Sequence, residues 1–388
     1  MLPPLEFGQL RFDSNSKKNL ERVLGRIYVK PFGSEVEEYE SRWGKLFGFK
    51  YNVAVNSGTS ADTVACKTLY DLGVERTGNA RDNEIIAPAL AFVAVGTSIA
   101  DAGFTPVFAD VDRETMNIDP SKIEEKITPR TRAIMAVHTM GKPCDMDSIM
   151  TIAKKHDLKV IEDCCEAHTA EYKGKRVGHF GDIAAYSSHV SHLISSMEGG
   201  MVSTNNSHIG EVAKSLRNHG RPVDSMYFNH ERLGGNYKMC DLLAAVGQAE
   251  CDRFIETDKI RRANLYYLMN KTEDLQSVAI MNRFNPHEFL APHAFSVTIR
   301  DPSKYSPEEL YKFLWNNSTM QTQAKRNFGC IPTQHKAFKY LGLREGDFPE
   351  AEFVGLNGVH FGVHQYLAQE QLDAASNLLH DFFSRPRK

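Results

Sequence analysis

Residues 51–72 read YNVAVNSGTSADTVACKTLYDL, and this passage sets the fold class. Val53, Ala54 and Val55 form an apolar run, Asn56-Ser57-Gly58-Thr59-Ser60-Ala61 is a turn of small polar residues, and an apolar stretch continues to Leu72. That order predicts a strand, a glycine loop and a helix. Upstream, EVEEYESRWGKLFG (35–48) sets Val36, Tyr39 and Trp43 near helical spacing, with Gly48 as the stop. Downstream come NEIIAPAL then AFVAVGTSIADAG, TPVFADVD, TRAIMAVHT then DMDSIMTIAKKHD, LKVIEDC, and DIAAYSS. Short β-branched runs alternating with helical segments predict an α/β fold, a mostly parallel sheet covered by helices. Beyond about residue 255 the texture changes to AFSVTIRD, a capped SPEELYKFLWNN (Ser306, then Glu309) and AQEQLDAASNLLHDFF. A large domain over 1–255 and a smaller C-terminal α+β domain over 256–388 are expected.

The 388 residues are 41% hydrophobic and 24% charged, with a net charge of −3, which suits a large globular subunit. No long basic block occurs, so nucleic acid and anionic membrane surfaces are not expected partners. The start MLPPLEFGQL lacks a charged region followed by an apolar one, and no apolar run of about 18 residues occurs, so a cytoplasmic location is expected. Seven scattered cysteines without a CxxC pair predict neither disulfides nor a metal site. Adjacent Cys164 and Cys165 should point to opposite faces if they lie at a strand end.

Three segments bring chemistry to the carboxyl ends of predicted strands, where open α/β sheets bind ligands. The Asn56–Ala61 turn can cradle a phosphate on backbone N–H groups and hydroxyls, or it can be a capped turn and nothing more. Asp163, closing VIED, can pair with a protonated pyridine nitrogen or cap the next element. His189 and His192, in SSHVSH ahead of MEGG, fit a metal site or two satisfied surface histidines.

In combination these segments resemble the pyridoxal-phosphate-dependent sugar aminotransferases and dehydratases of the DegT/DnrJ/EryC group. The resemblance extends through FGSEVEEYE (32–40), AHTAEYKGKRVGHFGD (167–182), EGG (198–200) and GGNYKMCDLLAAVGQAE (234–250). It implies the fold-type-I, aspartate aminotransferase-like architecture and a pyridoxal or pyridoxamine 5′-phosphate cofactor. By resemblance, Gly58, Thr59, Ser60 and Ser187 are the phosphate side of the cofactor site and Asp163 the ring-nitrogen partner. Phe92 matches the position that stacks on the ring, or is an ordinary core Phe. Asn236 matches an Asn that reaches a neighbouring subunit's cofactor phosphate, implying a homodimer with shared active sites; alone it reads as a loop Asn.

One departure bears on function. In the aminotransferases of this group, a lysine six residues before the Glu of EGG holds the cofactor covalently; here that position is His192, and no lysine lies between Lys175 and Lys214. Imidazole forms no stable Schiff base but can act as a general base near neutral pH. The Gln usual three residues after the Asp is Glu166. This pair of changes is similar to the branch that dehydrates GDP-4-keto-6-deoxymannose at C3 in colitose biosynthesis, and His219 in RNHG matches its active-site neighbourhood. The implied reaction is C3 dehydration of a 4-keto-6-deoxy nucleotide sugar, with pyridoxamine phosphate regenerated from an amino donor, expected to be L-glutamate. In it His192 removes a proton from the cofactor's C4′ carbon and assists departure of the C3 hydroxyl, while Glu166 holds the histidine or a water. A sugar aminotransferase, another pyridoxamine-phosphate enzyme of the same fold, and a non-catalytic nucleotide-sugar binder remain alternatives. The loops Arg221–Arg232 and Asn327–His335, with Arg221, Arg232 and Arg326, are candidates for the diphosphate, although exposed arginines on a solvated face read the same way.

Overall fold

In the computed structural model, runs that are apolar on both faces become the buried strands of one large sheet. The structure describes residues 1–25, 33–74, 83–222 and 229–385. Phe32 of the 32–40 motif and residues 223–228 of the Arg221–Arg232 loop lie outside them. In chain order the strands are β1 (Tyr51–Val55), β2 (Glu84–Pro88), β3 (Thr105–Ala109), β4 (Thr131–Val137), β5 (Lys159–Asp163), β6 (Glu171–Tyr172), β7 (Lys175–Arg176), β8 (Ile183–Ser187), β9 (Gly200–Thr204), β10 (Ala279–Met281), β11 (Glu288–Phe289), β12 (Ala294–Ile299), β13 (Lys325–Arg326) and β14 (Gly358–Gly362).

Seven of these form the main sheet in the order β1-β9-β8-β5-β4-β2-β3. Only β9 runs against the rest, pairing antiparallel with β1 and β8. Successive residues face opposite layers, as the two-residue period requires. Val53 and Val55 pack with Ile85 and Ile161 on one side, and Ala54 packs with Trp43 and Tyr186 on the other.

Helices α1 (Ser14–Leu24), α2 (Ser34–Phe47), α3 (Gly58–Thr68) and α4 (Ala94–Asp101) have ends that follow from local chemistry. Gly48 closes α2 at φ 79°, a left-handed position that glycine takes without steric cost. Ser57 caps α3, its side chain accepting from the Ser60 N–H. The 31-residue helix Asp241–Lys271 is longer than any helix the sequence pattern indicated. Phe254, in its first half, packs in the Trp43 cluster, whereas Leu265 and Leu268 enter a second core around Phe295 and Phe361. Residue 255 lies inside this helix. The second core backs a four-stranded antiparallel sheet, β10-β12-β14-β13, closed by the helix Gln369–Phe383. Among the described residues, no helix is long and apolar enough to cross a membrane.

Candidate functional site

Strands β1, β2, β4, β5 and β8 all deliver their carboxyl ends to one edge of the sheet, and a cavity of about 480 Å³ opens there. Its floor comes from the main sheet. Its other wall is the end of the small sheet, through His293, Lys325, Arg326 and His360, with Phe7 from the N-terminal segment.

Gly58 and Ser187, expected on the phosphate side, come together at the start of α3. A Cβ on Gly58 would sit 2.6 Å from Ser187 Cβ and 3.2 Å from Cys165 Sγ, so only glycine lets this turn approach β8. The first-turn N–H groups of Gly58 and Thr59 have no intrahelical acceptor, and they lie at the positive end of the helix dipole. Ser187 and Thr59 line the cavity. Ser60 does not: its hydroxyl donates to Asn56 Oδ1 at 2.6 Å and its N–H to Ser57 Oγ. Gly200 of the EGG segment packs behind, where a Cβ would meet Ser57 O at 2.3 Å.

Asp163, at the end of β5, is buried, with Oδ1 accepting the Cys165 N–H at 2.9 Å. Burial raises its carboxyl above the usual range, and the Cys165 N–H and thiol do not bring it back. Cys164 packs in the Trp43 cluster and Cys165 lines the cavity, so the two thiols do face opposite ways. All seven cysteines are free thiols. Phe92, 58% exposed, stands at the rim edge-on to Phe328, with ring centroids 6.0 Å apart.

His192 stacks between two other imidazoles, His293 at 5.1 Å and His168 at 6.0 Å. Its Nδ1 is buried without a hydrogen-bond partner. Burial, then the charges of His293 and His168, hold its pKa well below the ordinary value, so the ring is neutral at pH 7. No hydrogen bond joins Glu166 to His192 Nδ1. Glu166 accepts the Met140 N–H at 2.6 Å and lies 3.4 Å from His293 Nε2. Burial raises its carboxyl, but His293, the Met140 N–H and His360 together outweigh this and leave it below the usual range.

His219 lies outside the cavity lining of the single chain. It is exposed at φ 60°, with Nε2 3.4 Å from Lys238 Nζ. Asn236 is likewise exposed, its backbone carbonyl accepting from Asn56 Nδ2 at 3.3 Å. Of the candidate arginines, Arg326 lines the cavity, and Arg232 is held by Asp71 at 2.9 Å. The Asn327–His335 loop turns inward at its start: Asn327 is buried, donating to Thr298 Oγ1 and accepting from His360. The sequence reading did not single out Asp62, His293, Lys325 or His360. A lone Asp in the apolar TVAC passage of α3 was the one available signal, since the others reach the cavity only through tertiary packing.

The site's donors fit a pyridoxal phosphate-type cofactor. A glycine-built helix N-terminus would meet an anion, a buried carboxylate would meet a ring cation, and His192 lines the same cavity. A model of the DegT/DnrJ/EryC1/StrS aminotransferase family matches residues 11–379. GDP-perosamine synthase of Caulobacter vibrioides is 30% identical over 377 residues, covering 96% of each chain. The dTDP-4-dehydro-2,6-dideoxy-D-glucose 3-dehydratase of Saccharopolyspora spinosa is 28% identical, covering 91% of this chain and 81% of that one. Among solved structures, the Escherichia coli GDP-4-keto-6-deoxy-D-mannose-3-dehydratase with bound hydrated PLP matches with a TM-score of 0.85 at 25% identity, over 97% of this chain and 99% of that one.

Proposed function

Because this chain belongs to the DegT/DnrJ/EryC1/StrS aminotransferase family, whose cofactor is pyridoxal or pyridoxamine 5′-phosphate, we propose that it is a 3-dehydratase of a 4-keto-6-deoxy hexose nucleotide. The observation that carries this reading is His192: a neutral, half-buried imidazole with Nδ1 unpartnered, where transaminating relatives need an amine. Bound as the amine, the cofactor supplies an electron sink for the sugar carbons next to the ketone. The protein's part is binding and proton transfer. The Gly58 and Thr59 N–H groups and the Ser187 hydroxyl hold the phosphate, Asp163 pairs with the ring nitrogen, and Phe92 covers the ring from the rim.

His192 would take the proton given up by the cofactor's C4′ carbon and return it to the C3 oxygen, which would leave as water. Glu166 positions His293, and through that ring the base. With L-glutamate as amino donor the exchange balances: the sugar loses its C3 oxygen, and 2-oxoglutarate and ammonia are released. Arg326 and Lys325 at the small-sheet wall are the cations for a diphosphate. A second copy of the chain, bringing Asn236, completes the site as a homodimer. His219, outside the cavity of its own chain, serves across the same junction.

The relatives named as GDP-perosamine synthases favour transamination as the second reading. The test is to add pyridoxal phosphate and L-glutamate, follow the aldehyde absorbance, then supply GDP-4-keto-6-deoxymannose. Ammonia and a 3-deoxy product are expected. An amino sugar that keeps its C3 hydroxyl would overturn the dehydratase assignment. Half-transamination without turnover of this sugar would move the question to the nucleotide and sugar.

A further inference from the structure

Asp62 has no place in the reading above, yet it lines the same cavity. It stands one helical turn after Gly58 in α3, and therefore on the helix face that meets β8 and Cys165. Around it α3 is apolar and buried: Ala61, Val64, Ala65 and Cys66 are all 0% exposed. Asp62 itself is 2% exposed, and its Oδ1 is buried with no hydrogen-bond partner. The charged group that acts on it is Asp163. Its carboxyl oxygens, those of Asp163 and the Cys165 thiol have atoms within 4.8 Å of one another.

Two carboxylates this close, out of water, do not both ionise unless a cation joins them. We propose that Asp62 is a second carboxyl group of the ring-nitrogen pocket: the empty pair carries one proton between Asp62 and Asp163, and the two together hold the cofactor's ring nitrogen in its protonated form. This rests on the cofactor reading of the cavity and adds Asp62 to it as a positioning residue. The groups facing the pair are Glu166, which adds negative charge beside Asp163, His138 acting on Asp163, and the thiols Cys66 and Cys165. Burial and then the Asp163 charge raise the Asp62 carboxyl well above its ordinary value. The sign follows: a raised carboxyl stabilises the cofactor-free fold at low pH, and that contribution is lost as pH rises through the raised value.

The experiment compares the full-length wild-type chain with Asp62→Asn and Asp163→Asn. Cofactor-free melting temperatures are recorded from about pH 5 to about pH 8.5, and the ring nitrogen of bound ¹⁵N-labelled pyridoxamine phosphate is titrated by NMR. Asp62→Asn should flatten the alkaline fall in melting temperature and weaken the proton affinity of the bound ring nitrogen by about tenfold. If Asp163→Asn changes both readouts and Asp62→Asn changes neither, the proposal is overturned and the cofactor reading stands. If the wild-type chain binds no pyridoxamine phosphate, both fail. Should Asp62→Asn not fold, Asp62→Ser takes its place. A wild-type melting temperature flat across this range would also overturn the shared proton.

Discussion

Glu162 and Asp163 are neighbours on one strand, both acidic and both buried, and they are treated in opposite ways. Glu162 points to the face where a loop returns. It accepts the N–H groups of Gly178, Phe180 and Gly181 at 2.7, 2.7 and 2.6 Å. His138 donates to it from Nε2 at 3.2 Å, since His138 Nδ1 already accepts the Cys144 N–H. Burial raises the Glu162 carboxyl, but these donors outweigh it and leave it below its usual range. Asp163, facing the cavity, has one backbone donor and lies above its usual range. The difference separates a carboxylate that builds the fold from one left short of partners at the cavity. Alternation along a strand places two such roles one residue apart.

The contrast breaks most visibly at Glu162. Glu162→Ala removes one acceptor from three backbone donors and His138 at once, and should cost about 3–5 kcal/mol, measured as a lower urea midpoint of the cofactor-free protein. Asp163→Asn should leave that midpoint unchanged or higher, because it removes a charge the empty fold does not satisfy. Its loss is expected in the cofactor dissociation constant, weakened about tenfold, or about 1.4 kcal/mol. A drop in apoprotein stability as large as that of Glu162→Ala would erase the distinction.

The smallest effect is in pH. The lowered Glu162 carboxyl contributes stability that is present above its ordinary range and lost as pH falls through its folded value. Asp163 contributes in the opposite sense, losing stability as pH rises. Glu162→Gln should therefore flatten the acid limb of a stability–pH curve and Asp163→Asn the alkaline limb, each by at most about 1.4 kcal/mol per pH unit.

Much of the large sheet was legible because its signals are local. Gly48 ends α2, and Ser306 caps the helix Pro307–Trp315 by accepting the Glu309 N–H, both as the spacing indicates. The runs NEIIAPAL, TPVFADVD, TRAIMAVHT, LKVIEDC and DIAAYSS each contain a strand of the main sheet. The reversed strand β9 was not legible, since GMVST is too short to announce its direction and owes its place to pairing with β1 and β8. Nor was the 31-residue span of Asp241–Lys271. Its apolar face turns from one core to another partway along, which blurs the periodicity that would have marked it.

The candidate site divides along the same line. Motif spacing picked out Gly58, Thr59, Asp163, Ser187 and His192, and packing gathers these five at one cavity. It could not indicate that Glu166 faces His293 rather than His192, or that Asp62 turns its carboxyl toward Asp163.

By itself the sequence determined the α/β alternation, the glycine turn that opens α3, the family, and the imidazole at position 192. These are properties of residue type and of spacings within a strand and a turn. Only the tertiary structure decided which buried carboxylates are satisfied and which are left waiting. It also decided that His192 sits neutral between two imidazoles, and that His293, Lys325 and His360 wall the site from the far sheet. Electrostatic environment depends on groups distant in the chain brought within a few ångströms, and no local spacing encodes that distance.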